Sequence, residues 1–459
     1  MKYLYVFFYL VLCLGNGIAS EKTNIIYILA DDLGWADVGF NGQKYIKTPN
    51  LDKMRSEGMS FNQHYSGSTV CAPSRSCLMT GLHTGNTRVR GNGHGSHLLE
   101  GDKTVAELLK SAGYKTACIG KWGLGTYKDA GAPDKKGFDH FFGYISQVRA
   151  HHYYQDYLWR NGEKEMYPNN RKKRNKYSHD LFTEDALNFI ETNQKNPFFL
   201  YLAYTIPHVD LDVPEDSIKP YLNLPEKGPY KGDHYISCKK PRATFAGMVS
   251  RLDDHVGLIL KKLKDLSLAE NTLVIFTSDN GPTPAGGADP DFFDGNGIFK
   301  GIKRDLYEGG VRVPFVAWWP GKIKENSTTE HVSAFWDFMP TCAEIAGIES
   351  YKTDGLSYLA TLIGENDKQK KHEYLYWEFY EKGGKQALRY GKWKVVRLNV
   401  NKDRNAPLEL YNLEIDPGEN TNLAKKFPEL VTKLSQKINE VRTDSDAFKF
   451  VDKKRKKKN

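Results

Sequence analysis

Beyond its first twenty residues the chain has no apolar run long enough to cross a bilayer as a helix, so no transmembrane anchor is expected. Cysteine is scarce: there are six in 459 residues, at positions 13, 71, 77, 118, 238 and 342, with no close framework spacing. A disulfide-stapled fold is therefore not expected, although an exported protein permits disulfides. One glycosylation sequon follows residue 20, Asn326-Ser-Thr. Few cysteines and a single sequon fit a bacterial periplasmic or secreted protein better than an animal lysosomal one. There is no internal repeat. A real excess of one charge is also missing. The formal net charge is +9, but Lys2 supplies one of these charges and the block 453–458 supplies six, which leaves a body near +2. That excludes a nucleic-acid reading drawn from overall basicity. The block itself reads as a solvated tail able to attract an acidic polymer.

What is present begins with an export signal. Lys2, the apolar run Tyr3 to Leu14 and the small-residue exit Gly17-Ile18-Ala19-Ser20 make residues 1–20 a signal peptide. The expected location is periplasmic or secreted. A lipoprotein anchored through Cys13 is the minor alternative, because Leu12 fits a lipobox poorly. Aromatics are abundant at 13%, which suits sugar stacking and equally suits a Tyr-rich core.

Apolar runs at Asn24–Ala30, Phe198–Tyr204 and Thr272–Thr277 read as strands buried on both faces. Thr48-Pro49 starts a helix through Arg55, with Thr48 as its cap. Further helices are expected at Thr104–Ser111, stopped by Gly113, and at Phe245–Leu266. Lys115–Gly120 reads as a short strand delivering Lys121. This alternation predicts an α/β fold with a mostly parallel sheet flanked by helices, and such sheets bind ligands at the carboxyl ends of their strands. Short strands at Glu373–Glu378, Ala387–Tyr390, Trp393–Leu398 and Glu409–Leu413, then a helix at Glu429–Val441, predict a small antiparallel C-terminal sheet with one helix. The expected division is signal 1–20, catalytic domain 21–345, C-terminal subdomain 346–450 and basic tail 451–459. The charged segments 163–176 and 365–372 read as loops.

Asp31 and Asp32 leave the first strand, and Asp279 and Asn280 leave the strand Thr272–Thr277. One acidic pair after a strand is usually a cap or a turn. Two together make an all-oxygen ligand set suited to a hard divalent cation, Ca²⁺ or Mg²⁺. Cys71-Ala-Pro-Ser-Arg75 followed by Leu78-Met-Thr-Gly81 is more specific. Pro73 fits a first helical turn, so Cys71 is expected just before a helix amino terminus, which attracts anions. The step from Cys71 to Cys77 fits neither a zinc knuckle nor a redox pair.

The Cys71–Arg75 run resembles the signature of the type I, formylglycine-dependent sulfatases of the alkaline phosphatase superfamily. The resemblance extends over roughly residues 24–440 through Gly120-Lys121-Trp122, Pro207-His208, Lys303 ahead of Tyr307-Glu-Gly-Gly-Val-Arg312, Leu410-Tyr-Asn-Leu413 and Asp416-Pro-Gly-Glu419. It implies that a formylglycine-generating enzyme oxidises Cys71 to 3-oxoalanine in the unfolded chain. It implies one Ca²⁺ held by Asp31, Asp32, residue 71, Asp279 and Asn280. Arg75 is expected to hold the hydrated aldehyde, Lys121 and Lys303 to grip sulfate, and His208 to protonate the leaving alcohol, with Asp279 as a proton acceptor. Lys303 is preferred to Lys300 by its distance to Tyr307, and Ser146 is the candidate for an assisting serine. Many relatives read Gly-Lys-Trp-His; here Gly123 stands where that His helps hold the hydrate, with His151 and His152 as possible substitutes. The segment from Gly143–Gln147 to His151–Tyr154, with Tyr157–Asn161, is similar to bacterial polysaccharide sulfatases acting on galactose- or hexosamine-containing glycans, or on algal carrageenan or ulvan. Arg88, Arg90 and Arg149 are candidates to meet neighbouring anionic groups. The alternatives are a phosphoester or phosphonate-ester hydrolase on the same scaffold, or an inactive glycan-binding homologue.

Overall fold

The computed structural model describes residues 22–93, 96–232, 234–349 and 351–450. The signal with Cys13, and the tail 451–459, lie outside the described residues. The strands are β1 (Asn24–Ala30), β2 (Met59–Phe61), β3 (His64–Tyr65), β4 (Lys115–Lys121), β5 (His140–Tyr144), β6 (Tyr157–Arg160), β7 (Glu163–Met166), β8 (Phe198–Ala203), β9 (Thr272–Ser278), β10 (Phe315–Trp318), β11 (Ser327–Thr329), β12 (Ser333–Ala334), β13 (Tyr374–Phe379), β14 (Lys385–Tyr390), β15 (Trp393–Leu398) and β16 (Leu408–Asn412).

Every residue of β1 is buried. Its side chains alternate between two cores, with Ile26 and Ile28 on one face of the sheet and Ile25, Tyr27 and Leu29 on the other. An unbroken apolar run is what a strand covered on both faces requires. It lies inside a ten-stranded sheet of order β11-β2-β10-β9-β1-β8-β4-β5-β6-β7. The central five strands, β9 to β5, run parallel, while β10, β6 and β7 add antiparallel flanks. Helices Ser178–Thr192 and Pro241–Asp265 cover the Ile26 face. Helices α2 (Cys71–Thr80) and α3 (Val105–Ser111), with Phe338–Ala346, cover the other. This is the expected mostly parallel α/β sheet.

Three local expectations need correction. Helix α1 (Pro49–Ser56) is not capped by Thr48; that hydroxyl accepts from Gly39 N at 2.7 Å. Asp253 of the helix Pro241–Asp265 takes the first-turn N–H groups instead, Asn50 N at 3.0 Å and Leu51 N at 2.7 Å. The segment 163–176 is not all loop, since it holds β7 and a short helix Asn170–Lys173. β6 and β7 form a hairpin whose turn, Asn161-Gly162, has φ of 48° and 95°, as a type I′ turn demands. Cys71 is the first residue of α2 rather than the residue before it, because extended Val70 is the cap. By contrast, Thr104 and Glu107 form a full capping box on α3.

The C-terminal sheet is four-stranded and antiparallel, in the order β13-β14-β15-β16. Leu434 and Ile438 of the helix Pro428–Glu440 pack on one face. Leu375, Trp377 and Phe379 of the other press on Tyr65, Val70, Cys77 and Trp336, which seats the small sheet against the loop that enters α2. Among the described residues five cysteines are buried and unpaired, and no helix is long and apolar enough to cross a membrane.

Candidate active site

The parallel strands β1, β4 and β9 all end at one edge of the sheet and deliver Asp31 and Asp32, Lys121, and Asp279 and Asn280 there. Across from them lies α2, whose ten residues are all buried. Cys71 and Arg75, one turn apart, share the face toward the strand ends. Arg75 donates from Nε to Asp279 Oδ2 at 3.1 Å, from Nη2 to Asp279 Oδ2 at 2.9 Å and Asp31 Oδ2 at 3.2 Å, and from Nη1 to Lys121 O at 2.7 Å. Lys121 Nζ is 2.6 Å from Asp31 Oδ2. Lys303 Nζ is 2.5 Å from Asp32 Oδ1 and 3.7 Å from Cys71 Sγ. Lys300 goes elsewhere, to the Tyr411 hydroxyl and Glu419 O, so Lys303 is the lysine of the site. Asp32, at φ 63°, holds a left-handed conformation that side chains rarely adopt, a form of strain found at functional positions.

These charges shape one another. Burial pushes the Asp31 carboxyl up, but Lys121, His208, Arg75 and Lys303 together hold it well below the ordinary range. Asp279 is pushed up to about 7 by burial and by Asp31, against Arg75. Burial, and then Asp31, raise the Cys71 thiol to about 12. Burial lowers Lys303, yet Asp32, Cys71 and Asp31 more than offset it and keep the ammonium charged.

His208 donates from Nδ1 to Val209 O at 2.7 Å, since a carbonyl only accepts, and its Nε2 points to Asp32 Oδ2 at 3.5 Å. His151 stacks on the His208 ring at 5.0 Å. His152 instead bonds Asp210 at 2.5 Å. Only His151 of that pair joins the site. Ser146, half-buried after β5, makes no hydrogen bond to these groups among the described residues. Arg90 is buried against Glu378 at 2.7 Å and Arg88 pairs with Asp102, so neither is a free anion contact. Arg149 lies over the Tyr157 ring. Tyr144 and Tyr153, in the segment similar to polysaccharide sulfatases, are core residues.

The site also suits a hard cation. Ligand atoms of Asp31, Asp32, Cys71 and His208 lie within 4.8 Å of one another. Asn280 donates from Nδ2 to Asp32 Oδ1 at 2.8 Å and to Gly281 O at 2.9 Å. Its Oδ1 is buried without a partner among the described residues. An orphaned buried oxygen is costly, and on a residue bonded to Asp32 it is the kind of donor that Ca²⁺ or Mg²⁺ takes.

A family model described as Sulfatase matches residues 23–348, most of the chain and all of the site. The chain belongs to the sulfatase family. A second model, N-sulphoglucosamine sulphohydrolase, C-terminal, matches residues 296–444 of this sulfatase. N-acetylgalactosamine-6-sulfatase of Mus musculus is 34% identical over 75% of this chain and 67% of its own. N-acetylgalactosamine-6-O-sulfatase of Bacteroides thetaiotaomicron is 28% identical over 93% of this chain and 94% of its own. The solved structure of Ps i-CgsB in complex with k-i-k-neocarrahexaose is 30% identical, covers 92% of each chain and has a TM-score of 0.78. The enzyme is thus a sulfuric ester hydrolase.

Two residues were given no role of their own by the sequence. Lys394, fully buried, bridges Glu308 at 2.8 Å and Glu419 at 3.1 Å; nothing local in a strand pattern announces it. Gln147 lies against Gly123. Its signals were its place in the segment Gly143–Gln147 and its position three residues beyond β5, the strand paired with the one that carries Lys121.

Proposed function

We propose that this sulfatase removes sulfate from a galactose- or N-acetylgalactosamine-type glycan, after Cys71 has been converted to formylglycine and with Ca²⁺ held by Asp31, Asp32, residue 71, Asp279 and Asn280. The observation that carries the reading is the position of Cys71 on the first turn of α2, 3.4 Å from Asp31 Oδ1 and 3.7 Å from Lys303 Nζ. The relatives that act on N-acetylgalactosamine-6-sulfate, and the structure holding a carrageenan oligosaccharide, support the substrate class. A hydrated formylglycine supplies a nucleophilic hydroxyl and a second hydroxyl whose deprotonation expels sulfate. The bound cation supplies charge neutralisation and a lowered hydroxyl pKa.

The remaining work falls to the chain's own groups. Arg75 fixes Asp279 and Asp31 against residue 71, Lys121 and Lys303 offer ammonium donors to the sulfate oxygens, and Asp279 takes a proton. With Nδ1–H committed to Val209 O, His208 protonates the departing sugar oxygen from Nε2 as the imidazolium, a form that burial opposes and Asp32 and Asp31 favour. Export through residues 1–20 and encounter with a formylglycine-generating enzyme complete the proposal.

Purified enzyme and Cys71→Ala, assayed on defined sulfated galactose, N-acetylgalactosamine and carrageenan oligosaccharides with and without chelator, test it. Turnover is expected to vanish in the variant with its melting temperature nearly unchanged, and to fall on chelation. The Cys71 peptide is expected to carry an aldehyde by mass spectrometry. Wild-type-like turnover by Cys71→Ala sinks the proposal.

A further inference from the structure

Gly123 lies two residues past Lys121, in the loop leaving β4, at φ +73°. A Cβ built on it would lie 2.4 Å from Gln147 Nε2 and 2.9 Å from Gln147 Cδ. The Gln147 carboxamide therefore occupies the volume into which a side chain at 123 would project. The β-sheet register brings the two together: Lys121 pairs with Tyr144 across β4 and β5, and Trp122 N donates to Tyr144 O at 3.0 Å. Gln147 and Gly123 thus leave adjacent parallel strand ends beside the lysine of the site. Gln147 Nε2 is buried and has no hydrogen-bond partner among the described residues. Native proteins rarely bury an amide donor for nothing. An unmade bond at this edge of the sheet points to a ligand that makes it.

We propose that Gln147 is a substrate-contacting residue of this sulfatase, its Nε2 donating a hydrogen bond to an oxygen of the bound sulfate ester. The assignment rests on the sulfate-ester reading of the site. Arg75, Lys121 and Lys303 already bring three cations to balance Asp31, Asp32 and Asp279. A neutral amide adds a donor without upsetting that balance, and it stays a donor at every working pH.

The test uses the full-length, metal-loaded enzyme with inorganic sulfate as the probe in calorimetric titration, alongside hydrolysis of an aryl sulfate. Gln147→Met keeps the bulk over Gly123 and removes the donor. It is expected to weaken sulfate binding by about tenfold or more, the usual size of a hydrogen bond to a charged group, and to lower kcat/KM in parallel, with the melting temperature unmoved. Gln147→Glu, which sets an anion against the ligand, is expected to abolish binding. Sulfate affinity within about twofold of wild type in a well-folded Gln147→Met overturns the proposal, and so does a wild-type enzyme that binds no sulfate. Should Gln147→Met fold poorly, Gln147→His, which retains a ring N–H donor, is expected to bind sulfate better than Gln147→Ala; equal weakness in both overturns it. Sulfate binding that depends on Gln147 without aryl sulfate turnover supports the contact and counts against the hydrolytic reading instead.

Discussion

Lys303 meets two demands with one atom. Its Nζ pairs with both oxygens of Asp32, at 2.5 and 2.7 Å, and stands 3.7 Å from Cys71 Sγ. Arg304, next in the chain, sits at φ 77° with its N–H on Thr69 O at 3.1 Å, so the backbone is held in a left-handed turn that aims the lysine. Lys303→Met is expected to lower kcat/KM on an aryl sulfate by roughly a hundredfold or more, as loss of a preorganised charged donor does. Steady-state kinetics beside a thermal melt checks this, and unchanged kcat/KM would remove Lys303 from the machinery. At this scale the sequence was informative wherever a residue is tied to a neighbour. Lys303 could be separated from Lys300 by its distance to Tyr307, and Asp31 and Asp279 by the strands they leave. Gln147 could not be found that way, because its contact with Gly123 depends on which strand lies beside β4.

The loop after β1 carries a second kind of device. Asp37 is buried, accepts Gly34 N on Oδ2 at 2.7 Å, and lies next to Gly295, whose carbonyl takes Ala36 N at 2.8 Å. A Cβ on Gly34 would come within 2.2 Å of Gly295 O, so only glycine lets the two loops touch. Burial pushes the Asp37 carboxyl up to about 7; Gly34 N–H opposes this and Asp294 adds to it. The folded chain thus holds this proton more tightly than the unfolded chain does. Stability from this group is full below the unfolded value near 4 and is lost as pH rises toward 7. Asp37→Asn removes that dependence. Its stability relative to wild type is expected to climb by a few kcal/mol, at most about 4, between pH 4 and pH 7 and then level off. Urea unfolding at several pH values measures it, and a pH-independent difference refutes it. Elements with local logic were legible in the same way: the helix stopped by Gly113, the apolar run of β1 and the helix Pro241–Asp265, whose start the structure moves back to Pro241. The cap of α1 was not, since Asp253 lies 202 residues beyond Leu51 in the chain. The β6–β7 hairpin was hidden by its charge, although Asn161-Gly162 announced its turn.

At the scale of the molecule, two motifs that carry the sequence's family resemblance form a joint. Glu308, in the Glu-Gly-Gly run, donates its backbone N–H to Glu419 Oε2 at 2.6 Å. The Tyr65 hydroxyl and Lys394 Nζ both reach the Glu308 carboxylate, at 2.6 and 2.8 Å. Lys394 belongs to β15, so a buried ion cluster fastens the small sheet to the turn that follows Lys303. Lys394→Met leaves buried Glu419 without its cation and Glu308 with only Arg312, 3.2 Å away, and is expected to cost about 3–5 kcal/mol, with activity falling as the Lys303 turn loosens. Chemical denaturation reads the first effect and turnover of the folded fraction the second; a loss below about 1 kcal/mol would reduce the joint to a minor contact. The same long reach governs the centre of the enzyme. Cys71 is only 2% exposed, and Lys303, which closes over it, lies 232 residues further along the chain. At roughly 5–20 residues per second of synthesis, about ten to fifty seconds separate the appearance of the two. Any catalyst that must handle the Cys71 side chain therefore works against a clock set by the ribosome, and its rival is folding itself.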